Sequence, residues 1–127
     1  MRDYRQLEAW QEARATTLMV YGDARKYWHP SVGALFHQLQ RSALSVQLNI
    51  AEGASFGNSP TFTRFLGIAY GSAVETGEVL RLLLDLKALP TPLCNRLLEH
   101  STRCQRLLLG LLKKRRPMGM TDRRPRA

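Results

Sequence analysis

The fold is decided by residues 32–60, which read VGALFHQLQRSALSVQLNIAEGASFGNSP. Apolar residues recur here every three or four positions, the spacing of one face of an α-helix. This apolar stripe consists of Leu35, Leu39, Ala43, Val46 and Ile50. Gly53 and Gly57 predict that the helix ends in a loop. Ser59-Pro60 then places an N-cap before a first-turn proline, which predicts the start of the next helix.

The same spacing predicts three further helices, over about residues 4–27, 59–86 and 91–114. A residue that precedes proline is pushed out of helical conformation, so Pro30 and Pro90 mark the ends of two of them. Thr91-Pro92 repeats the pattern of a cap followed by proline. No segment alternates apolar and polar residues. Short connections between four long helices predict an all-α, antiparallel, up-down-up-down four-helix bundle.

Positive charge is concentrated in the last third of the 127-residue chain, whose net charge is +9. Residues 1–90 hold nine Lys/Arg and eight Asp/Glu, whereas residues 91–127 hold ten Lys/Arg and two Asp/Glu. We expect a bundle domain over residues 1–116 and a flexible basic tail over 117–127. Such asymmetry indicates an acidic partner, with nucleic acid the first candidate. The predicted phosphate contacts are Arg103, Arg106, Lys113, Lys114, Arg115, Arg116, Arg123, Arg124 and Arg126. The alternative is that this charge run is only solvated.

Two cysteines and the lack of long apolar runs indicate the compartment. On one helix, Cys94 and Cys104 would lie about 15 Å apart, too far for a disulfide. We therefore expect both to be small, buried apolar side chains. No apolar run reaches the roughly 18 residues of a membrane helix, and the N-terminus shows no signal segment. We expect a cytoplasmic protein with no membrane partner.

A second, polar stripe runs beside the apolar one. It comprises Gln38, Arg41, Ser45, Asn49 and Glu52 on the second helix and Arg64, Ser72 and Glu75 on the third. If the turn between them centres near Phe56, Arg41 meets Glu75 and Glu52 meets Arg64, in buried ion pairs. One interpretation is a catalytic or ligand site. We favour a structural network that sets helix register, because no nucleophile–base pair accompanies it.

Two further patterns predict close packing. Gly67 and Gly71 are one turn apart, so they would let another helix backbone approach; simple tolerance of glycine in a well-packed helix is the alternative. The fourth helix has more leucine than one core-facing stripe requires, with Leu98, Leu107, Leu109 and Leu112 beside the main stripe. This surplus predicts a face that is buried against another subunit.

Catalytic and metal-binding patterns are sparse. His100 and Cys104 are one turn apart, but a zinc site needs three or four protein ligands. Glu75 and Glu78 lack the Glu-x-x-His partners of a di-iron bundle. No phosphate-binding glycine loop or catalytic triad is recognisable. We expect no metal, no cofactor and no enzymatic activity; an enzyme that uses Arg41, Glu75 and Asn49 remains the least supported alternative.

Several motifs together resemble a known family. The second helix carries Gln38-x-x-Arg41-x-x-x-Ser45-Val46-x-x-Asn49-Ile50-Ala51-Glu52-Gly53. Further matches are Asp3-Tyr4-x-x-Leu7-x-x-Trp10, the segment from Ser59 to Leu66, and Ile68-Ala69-x-Gly71-Ser72-x-x-Glu75. Over about residues 3–112 the chain resembles the four-helix-bundle proteins encoded in intervening sequences of bacterial 23S rRNA genes.

The resemblance implies an assembly and a class of partner. It implies a ring-like homopentamer of bundles with a basic surface. The same family includes the accessory protein of diversity-generating retroelements, which binds nucleic acid and a reverse transcriptase. Our first hypothesis is therefore a non-catalytic, oligomeric accessory protein that binds RNA or DNA, with a reverse transcriptase as a candidate partner. The alternative is a structural protein–protein interaction module that does not bind nucleic acid.

Overall fold

The computed structural model describes residues 3–115, and the predicted tail 117–127 lies outside them. Four helices form the bundle: α1 (Glu8–Tyr21), α2 (Gly33–Ala54), α3 (Pro60–Asp85) and α4 (Thr91–Lys114). Single 3-10 turns cover Tyr4–Gln6, Ala24–Tyr27 and Pro30–Val32. The part of the chain that is described contains no strand. The predicted all-α four-helix bundle is confirmed. Within the same residues, no helix is long and apolar enough to cross a membrane.

Each helix packs against its neighbours in the sequence, and α1 also packs against α4, so the four helices surround one core. One end of the bundle, the loop end, holds the connections 22–32 and 86–90. The other end, the tail end, holds the α2–α3 turn 55–59 and the C-terminus of α4. Successive helices run antiparallel because their connections are too short to return along the bundle.

The start of α3 follows the predicted capping signal, whereas the start of α4 departs from it. The Ser59 hydroxyl accepts a hydrogen bond from the Phe62 backbone N–H at 3.3 Å, and Pro60 is the first residue of α3. Such a cap satisfies one of the free N–H groups of the first turn. At α4 the cap position is Pro90, and Thr91, which we expected to be the cap, is the first helical residue without a side-chain cap bond.

The first helix is shorter than its apolar spacing predicts. We expected it to reach residue 27, but α1 ends at Tyr21, and a separate 3-10 turn buries Ala24. The reason is Gly22, whose backbone bends (φ −94°, ψ −86°) while its N–H donates to the Leu18 carbonyl. A Cβ at this position would lie 2.8 Å from that carbonyl oxygen, so the bend requires glycine.

The core consists of two hydrophobic clusters with smaller side chains between them. One cluster lies toward the loop end and contains Leu39, Leu80 and Leu97; the other lies toward the tail end and contains Ile50 and Leu66. Between them a narrow cavity is lined by Ala13, Thr16, Ala43, Val46, Ala73, Thr76, Ser101 and Cys104. The buried hydroxyls bond within the bundle, as when Ser101 donates to the Ala73 carbonyl at 3.3 Å. Small side chains therefore occupy the middle of the bundle, and larger ones lie on either side.

Close helix approach uses glycines other than the predicted pair. Nothing lies within 4 Å of the Cβ position at Gly67 or Gly71, because both face outward. At Gly53 a Cβ would lie 2.5 Å from the Phe65 Cβ, so Gly53 is the residue that lets α2 and α3 approach. The prediction of a close approach at Gly67 and Gly71 within the bundle is wrong.

Both cysteines are buried and free, as the helical spacing predicts. Cys94 belongs to the loop-end cluster and Cys104 to the tail-end cluster. Burial raises the pKa of Cys94, and it raises the pKa of Cys104 to about 12.

Candidate nucleic-acid interface

The outward face of α4 carries five exposed cations and one exposed carboxylate, Glu99, which lies on the same side between Arg96 and Arg103. Its exposed cations form the basic stripe, defined as Arg96, Arg103, Arg106, Lys113 and Lys114. They follow one another at steps of seven, three, seven and one residues, which keeps them on one side of a helix. The opposite side of α4 carries the buried residues Leu93, Leu97, Cys104 and Leu108. Burying that side against α1 and α3 therefore presents the cations to solvent.

Arg103 is the member of the stripe with carboxylate partners. Its Nε lies 3.1 Å from Glu12 Oε1, and its Nη2 lies 3.6 Å from Glu8 Oε2. The other carboxylate oxygen of Glu12 lies 2.6 Å from His100 Nδ1. Arg103 therefore links α4 to α1, and its charge is partly compensated. The pair with the exposed Glu8 contributes only about 0–1 kcal/mol, whereas Glu12 is largely buried and holds Arg103 more firmly.

Arg115 is used inside the chain. Its Nε donates to Thr63 Oγ1 at 2.8 Å, and its Nη2 donates to the Ser59 carbonyl at 3.0 Å. Its guanidinium carbon lies 4.5 Å from the centroid of the Phe62 ring, a cation–π contact. The side chain is half-buried and fastens the end of α4 to the start of α3. The prediction of Arg115 as a phosphate contact overlooked this docking.

The remaining predicted cations divide into two groups. Arg106, Lys113 and Lys114 are exposed and have no salt-bridge partner among residues 3–115. Arg106 and Lys114 share a groove with Leu7, Glu8 and Leu111, at the junction of α4 with the start of α1. The other predicted contacts, Arg116, Arg123, Arg124 and Arg126, lie outside the described residues.

The polar stripe of α2 and α3 forms a partial network. Ser45 Oγ and Ser72 Oγ are 2.9 Å apart, and Asn49 Nδ2 donates to Ser45 Oγ at 3.0 Å. Gln38 Nε2 donates to a carboxylate oxygen of Glu75. One buried contact was not predicted from the sequence: Thr76 Oγ1 donates to Ser42 Oγ at 3.0 Å. The only sequence signal for it was a polar side chain at each of two core-facing positions.

The predicted Arg41–Glu75 and Glu52–Arg64 ion pairs are absent among residues 3–115. All four side chains are exposed, so the prediction of buried pairs is wrong. Register is not the reason, because residues 41 and 75, like residues 52 and 64, centre on residue 58, close to the centre between residues 58 and 59 for the bonded Ser45 and Ser72. The four side chains lie at the exposed edge of the α2–α3 contact, where Glu75 accepts a hydrogen bond from Gln38.

An exposed apolar pair lies on the outer side of α2 and α3. Leu48 is 53% exposed and Ile68 43% exposed. Both lie at the same level along the bundle. The mean of the residue numbers 48 and 68 is close to the mean for the hydrogen-bonded Ser45 and Ser72, which mark opposing positions of α2 and α3. The outward glycines Gly67 and Gly71 leave open space beside Ile68. This surface, the α2–α3 face, is flanked by Arg41, Glu52, Arg64 and Glu75.

The leucine surplus of α4 has a different explanation from the one that we expected. Leu98, Leu107 and Leu112 are partly buried and pack on the two core clusters, whereas Leu109 is exposed. The extra leucines therefore widen the contact of α4 with its neighbours in the chain. Exposed apolar side chains outside α4 include Leu48 and Ile68 of the α2–α3 face.

The polar side chains between α2 and α3 mostly bond to one another or to the backbone. No histidine lies among the bonded hydroxyls. In residues 3–115 no three His, Cys, Asp or Glu side chains meet in a group that could hold a metal ion. Exposed cations on a rigid helix can hold phosphate groups without any such chemistry.

Comparison with known proteins agrees with the fold. A family model described as 23S rRNA-intervening sequence protein matches residues 5–110. The structure is similar to the crystal structure of a protein with unknown function from the S23 ribosomal protein family of Bacteroides thetaiotaomicron VPI-5482. The TM-score is 0.73 at 20% identity, over 83% of this chain and 98% of that chain. No curated protein matches the chain.

Proposed function

Because the chain belongs to the family of 23S rRNA-intervening sequence proteins, we propose that it is a non-catalytic accessory protein that binds nucleic acid as a homo-oligomer. The observation that carries this proposal is the basic stripe of α4, where Arg106, Lys113 and Lys114 are exposed without a carboxylate partner in the described chain. Phosphate contacts of this kind give affinity without reading sequence. Binding should therefore be sequence-independent and sensitive to salt.

The oligomer is the second part of the proposal. Leu48 and Ile68 form an apolar centre, and two arginines and two carboxylates flank it. A surface with both charge signs around an apolar centre can pair with a second copy of itself or with another part of it. Repeating the basic stripe around an oligomer multiplies the phosphate contacts and raises the avidity. The expected number of five subunits comes from the family resemblance.

A salt titration tests the nucleic-acid part. Affinity for a labelled duplex and a labelled single strand is measured by fluorescence anisotropy from low to physiological salt. If four or five phosphates are neutralised, log affinity falls against log salt with a slope of roughly −4. The double variant Lys113→Ala/Lys114→Ala should reduce the magnitude of this slope by about 2. A chain that ends at Arg115 measures the contribution of residues 116–127.

A matched control separates the stripe from general charge. Arg14→Ala/Arg81→Ala also removes two exposed cations, but from α1 and α3. This control should leave the slope unchanged if the stripe is the binding surface. Equal reductions of the slope in both double variants would show that the salt dependence reports only the net charge of the chain. A full chain that does not bind either probe would refute the proposal.

A structural interaction module without nucleic-acid binding is the second candidate, and the apolar α2–α3 face favours it. The two candidates predict different neighbours in the genome. A reverse-transcriptase gene with a repeat pair beside this gene supports the accessory role, with that enzyme as the partner. A gene inside an rRNA operon, together with an absence of binding in the salt titration, supports the module.

A further inference from the structure

The loop end of the bundle carries exposed aromatic side chains among cations. Trp28 is 54% exposed and Tyr27 is 44% exposed. Lys26 precedes them in the same connection and is also exposed. Large aromatic rings at the surface of a basic protein are candidates for stacking on unpaired bases, since every base offers a flat π-face.

Trp28 is held in place by its surroundings. Its ring covers Gly33, the first residue of α2, where a Cβ would lie 3.2 Å from ring atom Cζ2 and 3.3 Å from Nε1. The Trp28 backbone N–H donates to the Arg25 carbonyl at 3.2 Å. The next residue is fixed as well, because His29 Nδ1 accepts a hydrogen bond from the Ser31 N–H at 3.1 Å. One side of the indole thus rests on the backbone of α2, and about half of its surface stays in solvent.

Tyr27 lies in a groove that connects this end to the basic stripe. Lys26, Tyr27 and Arg96 line the groove together with Pro92, and Asp23 is the carboxylate among its lining residues. Arg96 is also the first cation of the basic stripe. From Arg96 to Lys113 the stripe spans seventeen helical rises of α4, about 26 Å. The basic stripe therefore begins beside Tyr27, and Glu99 interrupts it between Arg96 and Arg103.

From this juxtaposition we propose that the loop end binds single-stranded nucleic acid by stacking unpaired bases on Trp28 and Tyr27. Lys26 and Arg96 hold the adjoining phosphates, and the strand continues along the basic stripe. This inference rests on the proposed function and adds to it a preference for unpaired bases. A positive track with stacking aromatics is the common design of proteins that bind single strands without sequence preference. Bases in a duplex are already stacked on one another, so a duplex can use only the cations.

The test compares Trp28→Ala with the wild-type full chain on three labelled probes of equal length. The probes are a homopolymeric pyrimidine single strand, a duplex, and a single strand in which most bases are replaced by abasic sites. We expect Trp28→Ala to weaken binding to the normal single strand about tenfold. It should bind the duplex and the abasic strand as the wild type does, because these probes present phosphates but few or no free bases.

Two controls test whether a loss of affinity comes from the missing aromatic ring and not from a change in the fold. Trp28→Phe retains an aromatic ring and should recover most of the single-strand affinity. Circular dichroism of both variants should match the wild type, since Trp28 lies outside the core clusters. A ribose and a deoxyribose version of the single strand show whether the stacking site distinguishes RNA from DNA.

The outcomes separate this inference from the proposed function. Unchanged single-strand affinity in Trp28→Ala, with duplex binding intact, overturns the stacking site and leaves the phosphate-binding function standing. An equal loss on all three probes also overturns it, because stacking cannot affect an abasic strand. If the wild-type chain binds none of the probes, both proposals fail. A change in the oligomeric mass of Trp28→Ala in place of a change in affinity would identify the loop end as a contact between copies.

Discussion

At the residue scale, glycine positions show how one hydrogen atom in place of a side chain sets the geometry of the bundle. Gly22 allows the bend that ends α1, and Gly53 allows α2 to approach Phe65 on α3. Gly67 and Gly71 have no neighbour within 4 Å of the Cβ position. Glycine in a helix interior is unfavourable by roughly 1 kcal/mol relative to alanine. The consequence of adding a methyl group therefore depends on what that group would meet.

We predict opposite effects of alanine at two of these glycines. Gly53→Ala should destabilise the protein by about 1–3 kcal/mol, because the new Cβ would lie 2.5 Å from the Phe65 Cβ and force a backbone shift. Gly67→Ala, the matched control on an open helix face, should stabilise by about 0.5–1 kcal/mol. Urea unfolding followed by circular dichroism measures both. Equal free energies of unfolding for the two variants would contradict the close approach at Gly53.

The buried cysteines should be unreactive in the folded protein. Burial raises the pKa of Cys104 to about 12 and also raises that of Cys94. Because the thiolate is the reactive species and a raised pKa lowers its fraction, thiol reagents should find no reactive cysteine at pH 8. Denaturation should release two thiols. Rapid reaction of either cysteine in the native state would show that the core around it opens.

At the element scale, contacts from the middle of α4 and from its C-terminal end join it to α1 and α3. The Glu12 carboxylate on α1 contacts both Arg103 and His100 of α4. Arg115, at the end of α4, donates a hydrogen bond to Thr63 in the first turn of α3. These contacts join elements that are distant in sequence. They explain why two of the predicted phosphate ligands already have partners in the chain.

Loss of the Arg115 contacts should destabilise the tail end. Arg115→Ala removes two hydrogen bonds and the cation–π contact with Phe62. We expect a loss of about 1–2 kcal/mol in the free energy of unfolding. Lys113→Ala is the control, since Lys113 is exposed two residues away, and its effect should be within about 0.5 kcal/mol. If both variants unfold at the same urea concentration, Arg115 is not an anchor.

At the scale of the whole molecule, the α2–α3 face and the basic stripe lie on different sides of the bundle. The first belongs to α2 and α3, and the second to the outward side of α4. An assembly through the α2–α3 face therefore leaves the stripes accessible. This separation allows assembly and nucleic-acid binding to be tested independently.

We predict that charge on the α2–α3 face dissociates the oligomer. Light scattering of the wild type should give about 72 kDa for five copies of the 14.4 kDa chain. Leu48→Glu/Ile68→Glu should give the monomer mass, because each carboxylate would have to be buried without a partner. Leu18→Glu replaces an equally exposed leucine on α1 and should leave the mass unchanged. A wild-type chain that is monomeric at micromolar concentration contradicts the assembly.

The sequence alone determined the fold class, because helix periodicity and capping are local. The stripe from Leu35 to Ile50, the Ser59 cap and the prolines predict α2, α3 and α4 to within about two residues. Of the cations on α4, the sequence prediction named Arg103, Arg106, Lys113 and Lys114, which are exposed, but it did not name Arg96. The burial of Cys94 and Cys104 followed from the same spacing.

Only the tertiary structure decided which side chains meet between helices. Arg41 and Glu75 lie at nearly the same level along α2 and α3, but both side chains are exposed, and it is Gln38 that donates a hydrogen bond to Glu75. Arg115 docks on Thr63 because α4 packs back against α3, a contact between residues far apart in sequence. The early end of α1 depends on a backbone bend at Gly22 that apolar spacing does not encode. Helix periodicity specifies which face is buried, whereas register and pairing are set by the steric fit of one helix against another.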